Sequence, residues 1–381
     1  MKNWLTILFI ICTLPGYTLT LSSDSKISIL TCSPGSELYS LFGHSAIHVN
    51  DPAANVDIVF NYGTFDFHTQ NFYIKYAQGL LPYQLSITSY NNFIESYKFD
   101  NRTVWSQTLQ LDSLQKQKLF DLLVENYQPA NRTYLYNFLF DNCSTRVRDI
   151  IAKSIAIPIK WNTQNAGKSF WNLLDEYLYA MPWIQWGIHT ILGQPGSQTA
   201  TSDQYMFLPD YLMYALDSAT IEGEKLVDGT LTVYQAPAPE IHNPWYFTPA
   251  FVFSIAFLLL IATIQYSKRS VILNSFSILL YLISGLIGVL LIFLGFFTEH
   301  PITAPNLNLI WANPLNLIAL FFLGMPKLPK VVNYYITFYS IVLAIGIPVW
   351  FFATPAVPMA SIVLIIAMLY VNLKLKQRKF R

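Results

Sequence analysis

Five stretches in the last third of the sequence carry no charged residue: 247–266, 271–297, 309–325, 334–352 and 355–373. A helix needs about 20 apolar residues to cross the hydrocarbon of a bilayer. In lipid, only a helix or a closed barrel pairs every backbone amide within itself. Such a chain must fold here as membrane helices, and about five spans are expected. The third stretch is short and holds Asn313, Pro314 and Asn316, so it reads either as a span or as a re-entrant or broken helix. With 53% hydrophobic and only 12% charged residues, the whole chain is too apolar for an ordinary soluble protein.

The basic residues fix an expected topology. Lys268 and Arg269 separate the first two stretches, Lys327 and Lys330 the third and fourth, and Lys374, Lys376, Arg378, Lys379 and Arg381 close the chain. The alternate loops, 298–308 and 353–354, have no Lys or Arg. Positive loops stay in the cytoplasm, so the tail lies inside and an odd number of spans puts the N-terminal domain outside. Lys2, the apolar run from Trp4 to Leu14 and the polar Thr18, Thr20, Ser22 and Ser23 that follow read as a signal peptide. Cys12 falls within it and is left out of fold and function.

The expected domains are therefore 1–20 signal peptide, 21–234 exported domain, 235–246 linker, 247–373 transmembrane helices and 374–381 basic tail. The linker opens with Gln235-Ala-Pro-Ala-Pro-Glu240 and ends at Trp245 and Tyr246, a pair suited to the membrane interface. The aromatic-rich segment 161–212, with Trp171, Trp183 and Trp186, is expected to lie in that interface too. A net charge of +1, with no basic patch interleaved with aromatics, gives no case for nucleic-acid binding. No Gly-rich phosphate loop and no paired cysteines of zinc type are found, so neither cofactor nor metal is expected. The partner to look for is the membrane.

The exported domain alternates between strand and helix patterns, an α+β class. Strands are expected at 27–31, 45–49, 56–62, 84–88 and 103–111, with Asn50-Asp51-Pro52 as the turn between the second and third. Asp112 with Gln115 forms a capping box for a helix to about Tyr127. Cys143 should sit in the first turn of a helix that continues through Ile150 and Ile151.

Two words carry the chemistry: Phe42-Gly-His-Ser-Ala-Ile-His-Val49 and Asp141-Asn-Cys-Ser-Thr145. A helix N-terminus offers unpaired N–H groups and a partial positive charge, which favour a thiolate and a developing oxyanion. Cys143 is thus placed as a nucleophile, His44 as its base, and Asn61 as the acceptor that orients the base. Asp57 should stand behind Asn61, because an even spacing puts both on one strand face. Ser45, Ser144 and Arg146 are candidates for oxyanion or substrate contacts, Arg146 for a phosphate headgroup. Glu299 and His300, an ionisable pair at the outer membrane boundary, are candidates for moving a proton or orienting a headgroup.

Each of these readings has a plainer counterpart. Cys32 and Cys143 in an oxidising compartment fit a structural disulfide as well as a catalytic thiol with a separate buried one. His44, His48 and a cysteine fit a metal site, although no carboxylate stands at ligand spacing, and His48 fits better as a sheet histidine. Arg146, Arg148 and Asp149 suit a solvated helix face, and Glu299 and His300 a wetted helix end.

Several words in order resemble one family: Leu30-Thr-Cys-Ser-Pro-Gly-Ser-Glu-Leu38, Phe42-Gly-His-Ser-Ala-Ile47, Val59-Phe-Asn-Tyr-Gly-Thr-Phe65, Asn101-Arg-Thr-Val104 and Tyr136-Asn-Phe-Leu-Phe-Asp-Asn-Cys143, with Thr298-Glu-His-Pro301 and Asn308-Leu-Ile-Trp-Ala-Asn-Pro314 in the membrane part. They are similar to the Lnb-type lipoprotein N-acyltransferases. The order of strand histidine before helix cysteine also resembles the permuted papain-like fold of lecithin:retinol acyltransferase. The resemblance implies an inner-membrane protein with a periplasmic catalytic domain. In it, Cys143 takes an acyl chain from a phospholipid as a thioester and passes it to the α-amine of a diacylglyceryl-cysteine lipoprotein.

The same resemblance gives His44 the base role. It carries over less directly to Asn61, where relatives often have a second histidine, and to the second half of the domain, where it leads one to expect an acidic residue in the place of His189. A cell-wall peptidase or amidase of the papain-like superfamily, and a structural or receptor-like membrane protein, remain the alternatives.

Overall fold

The computed structural model describes residues 19–162, 167–238, 244–267, 270–352 and 357–377. Most of the expected signal peptide with Cys12, part of the linker, Lys268 and Arg269, the 353–354 loop and the tail from Arg378 lie outside the described residues.

The exported domain begins β1 (Lys26–Cys32), β2 (His44–Asp51), β3 (Val56–Thr64), α1 (Phe72–Gln78), β4 (Pro82–Ser89), α2 (Tyr90–Phe99), β5 (Val104–Thr108), α3 (Ser113–Tyr127), β6 (Thr133–Leu135) and α4 (Cys143–Ser154). It continues with α5 (Phe170–Leu178), α6 (Pro182–Ile191), α7 (Ser202–Tyr205), α8 (Pro209–Ser218), the short β7 (Thr220–Ile221) and β8 (Glu224–Lys225), and β9 (Leu231–Tyr234). Its main sheet has seven strands in the order β6-β4-β3-β2-β1-β5-β9, every neighbouring pair antiparallel.

Alternation along the strands gives the sheet two apolar faces. Ile27, Ile29, Ile47, Val49 and Phe60 pack with Leu119 and Leu123 of α3, Val147 and Ile151 of α4, and Leu212 and Leu216 of α8. Leu30, Cys32, Ala46 and Val59 face Phe93, Ile94 and Tyr97 of α2. The domain is thus three layers with the sheet between helices. The helix from the Asp112 capping box forms as expected: Asp112 Oδ1 accepts from Gln115 N at 2.8 Å and Gln115 Oε1 from Asp112 N at 3.1 Å.

The membrane part comprises α9 (Pro249–Ser267), α10 (Ser270–Phe296), α11 (Asn316–Leu323), α12 (Lys330–Phe352) and α13 (Met359–Gln377). Among the described residues, four helices are long and apolar enough to cross a membrane, in α9, α10, α12 and α13. Of the two forms expected for the third apolar stretch, a span or a re-entrant or broken helix, it takes the broken one. The 309–325 stretch is a 3-10 turn, Leu307–Ile310, followed by α11 of only 8 residues. Pro314 lacks the N–H that a continuous helix needs, and Asn313 turns its side chain back to accept from Leu315 N at 3.0 Å.

This irregular stretch lies flat on α10. A Cβ on Gly288 would strike the Ala312 carbonyl and one on Gly285 would come within 2.6 Å of Leu317 Cγ, the close approach that small residues permit between membrane segments. Side chains pair the polar groups this exposes. Trp311 donates to Asn308 Oδ1 at 2.8 Å, Asn316 to Ser284 Oγ at 2.8 Å, and Tyr339 to the Trp311 carbonyl at 2.5 Å.

One end of the bundle carries the exported domain. Trp183 of α6 donates to the Phe247 carbonyl at 2.6 Å, and Trp186 to Ser361 Oγ near the start of α13 at 3.0 Å. The aromatic segment before the bundle thus covers the outer ends of its helices. Lys374 and Lys376, in the last turn of α13, fall at the opposite end.

Candidate active site

The site forms where the central sheet comes apart. β2 and β3 pair from Asp51↔Val56 to Ile47↔Phe60 and no further. Beyond that point the β3–β4 register slips between Asn61 and Thr64, with Gly63 at φ +88°. Only glycine takes that conformation without strain. The extra residue bends β3 away from β2 and opens a gap beside His44. Cys143 fills it from the helical layer: a Cβ placed on Gly63 would lie 3.7 Å from Cys143 Cβ and 4.0 Å from His44 Cε1.

Asn142 holds the start of α4 in this gap. Its Oδ1 accepts from Ser144 N and Thr145 N at 2.9 Å each, while its Nδ2 donates to the Phe138 and Phe207 carbonyls at 2.8 Å each. That leaves the N–H of Cys143, the first helical residue, with no acceptor within its own helix. It is the donor available to an oxyanion.

His44 Nε2 lies 2.6 Å from Asn61 Oδ1. An amide oxygen only accepts, so Nε2 carries the hydrogen and Nδ1 is left for the thiol. Burial pushes the Cys143 thiol up. The charge of His44 and its hydrogen bond, the Ser45 N–H and the Ser144 hydroxyl act the other way and hold it below its ordinary value. Cys32 is opposite His44 in the β1–β2 ladder, fully buried, and pushed up by that burial to about 12. The two thiols are both free, so the disulfide alternative is set aside. The neighbours of Cys143 lower its thiol, while burial raises that of Cys32.

The comparisons with known proteins fall on both halves of this architecture. The Lnb N-terminal periplasmic domain matches residues 16–176, and the Lnb transmembrane domain matches residues 241–378. The chain belongs to the Lnb family. No curated protein and no solved structure matches it. Membership of the Lnb family makes the sheet domain periplasmic and the protein an inner-membrane one, and it points to an enzyme of lipoprotein processing.

Other residues of this Lnb periplasmic domain differ from the expectations. Ser45 and Ser144 are fully buried, their hydroxyls lie 3.0 Å apart, and the Ser144 hydroxyl is 4.0 Å from Cys143 Sγ. Arg146 is no open headgroup site. Its guanidinium forks onto Asp141 at 2.6 and 2.8 Å and covers the Tyr134 ring at 3.4 Å. Asp57 shares a face with Asn61, but its carboxylate is taken by His48 Nε2 at 2.7 Å and Asn50 Nδ2 at 3.1 Å. His48 stacks on Tyr90 at 4.1 Å as a sheet histidine, and among the described residues no cluster could hold a metal.

Glu299 and His300 grip α1: Glu299 N donates to the Gln78 carbonyl at 2.9 Å, and His300 Nε2 lies 3.1 Å from the Ala77 carbonyl. His189 stands where an acidic residue was expected, and its Nε2 lies 2.9 Å from Asp175 Oδ1.

Two neighbours of the site escaped the sequence reading. Tyr97 of α2 lies parallel to His44, centroids 6.5 Å apart, with the Arg102 guanidinium 4.7 Å from its ring centre. Tyr136 lines the gap, its Cε2 3.9 Å from the Gly63 Cβ position. Tyr136 belongs to the same word as Cys143, which was the available signal. A groove of about 1390 Å³ lined by Ser33, Arg102, Lys168, Tyr177 and Asp210 includes neither Cys143 nor His44, so size alone does not mark the site.

Proposed function

We propose that this protein is a lipoprotein N-acyltransferase that works through a Cys143 thioester. The observation that carries the reading is a thiol at a helix N-terminus, hydrogen-bonded to a histidine whose far nitrogen is fixed by an amide oxygen. That is the arrangement of an activated nucleophile with an oriented base. The same arrangement supports a permuted papain-like reading of the periplasmic domain.

In the first half-reaction His44 Nδ1 takes the Cys143 proton and Sγ attacks the ester carbonyl of a phospholipid. The oxyanion is received by the Cys143 N–H. The ester C–O bond breaks, His44 returns the proton to the departing lysophospholipid oxygen, and a thioester remains. In the second half, the neutral α-amine of a diacylglyceryl-cysteine attacks that thioester, and His44 takes the amine proton. The C–S bond then breaks, giving an amide and a free thiolate that His44 reprotonates. Proton transfer of this kind contributes about 10²- to 10⁴-fold.

The membrane bundle supports a lipid donor and acceptor over a soluble cell-wall substrate, and the same topology reading puts the C-terminal tail in the cytoplasm. The test is the mass of the Cys143 peptide from membranes lacking acceptor. An added acyl chain, released by neutral hydroxylamine, is expected. An unmodified Cys143, with cleavage of cell-wall fragments instead, would replace this reading by the amidase one.

A further inference from the structure

The short helix α1 buries none of its residues, yet it is not a polar helix. Tyr73 is 82% exposed, and Ile74, Tyr76, Leu80 and Phe67 in the loop before it are exposed as well. Soluble surfaces seldom carry such a contiguous apolar patch without a partner.

Its position names the partner. The C-terminal end of α1 is bonded to Glu299 and His300, immediately beyond the outer end of the membrane helix α10 at Phe296. Phe296 and Phe297 are themselves exposed, so the patch continues the apolar surface of the bundle at the height where a bilayer meets water. Lys75, in the last turn of α1, has a stem long enough to reach phosphates from there. Aromatic residues with a lysine are the usual composition of that level.

The patch also leads inward. Phe67 packs on Phe65 at 5.0 Å, Phe65 on Tyr83 at 5.2 Å and Tyr83 on Tyr136 at 4.4 Å, and Tyr136 lines the gap that holds Cys143. We infer that α1 and the Phe67 loop dip into the outer leaflet, and that the ring-lined lane Phe65-Tyr83-Tyr136 guides a phospholipid acyl ester from the leaflet to Cys143. The lane rests on the acyl-transfer reading above; the dip into the leaflet does not.

Two measurements on the full chain, in vesicles of phosphatidylethanolamine and phosphatidylglycerol, test the two parts separately. A spin label at Ile74→Cys in a Cys143→Ser background, against the same label at the exposed Leu114→Cys on α3, reports depth by collision with oxygen and with a water-soluble nickel chelate. The Ile74 label should be open to oxygen and shielded from nickel, and the Leu114 label the reverse; equal nickel access at both overturns the dip into the leaflet.

For the lane, Phe67→Ser/Tyr73→Ser/Ile74→Ser should lower Cys143 acylation by phospholipid, relative to acylation by a water-soluble butyryl thioester, by about tenfold or more. An unchanged ratio, whether both rates hold or both fall together, overturns the lane. Native protein that takes no acyl group from either donor overturns the acyl-transfer reading and the lane with it, and leaves the leaflet contact to the spin label.

Discussion

His44 is held on two sides: Asn61 fixes the edge of its ring and Tyr97 lies parallel to its face. Losing the amide frees the ring to turn and removes the preference for the hydrogen on Nε2. Asn61→Ala should therefore cut acyl transfer by about 10- to 100-fold with little change in the melting temperature, by the logic of an orienting group; an unchanged rate would remove Asn61 from the site. The thiols give a second readout. Burial alone raises a thiol, and only its neighbours bring Cys143 down, so iodoacetamide should reach half its maximal rate at Cys143 below the ordinary thiol value. His44→Ala removes the largest lowering influence and should move that midpoint upward, while Cys32, pushed up to about 12, stays unlabelled throughout. A midpoint indifferent to His44 would contradict the pairing. At this scale Cys143, His44 and Asn61 were legible because a capping word and a strand word set their elements. Asp57 was misplaced because a shared face says nothing of reach, and His48 lies nearer. Arg146 was misread because a helix pattern does not show Asp141 folding back onto it.

At the scale of elements, the site depends on a fault in the sheet. The slip at Gly63 bends β3 away from β2, and the Asn142 cap aims α4 into the opening. Strand periodicity shows that β3 exists but not that it carries an extra residue, so the gap could not be read in advance. Gly63→Ala should cost about 1–2 kcal/mol through its left-handed φ and set a methyl between thiol and ring. Acyl transfer should then fall further than thermal melting indicates; equal losses would mean the glycine serves the sheet alone. The membrane segment 309–325 was legible as a weak span from Asn313 and Pro314. That it lies on Gly285 and Gly288 with its polar groups paired by Asn308, Ser284 and Tyr339 depends on residues far apart in the chain, which no local pattern relates.

For the whole molecule, charge-free stretches and basic loops made the division into exported domain and bundle legible. How the two meet was less so. The tryptophans of α6 announced one contact, but the grip of Glu299 and His300 on α1 joins residues from opposite halves of the chain. The domain is fastened to the outer end of the bundle by α6, by residues 190–194 on the 302–308 segment and by α1, which suits the lipid-borne substrates proposed above. The most direct test is the intact mass of a lipoprotein N-terminal peptide from a host without its own N-acyltransferase, supplied with the native chain or with Cys143→Ala at equal membrane levels. The native chain alone should add one acyl chain to the peptide. No added chain with either, or the same chain with both, would contradict transfer through Cys143.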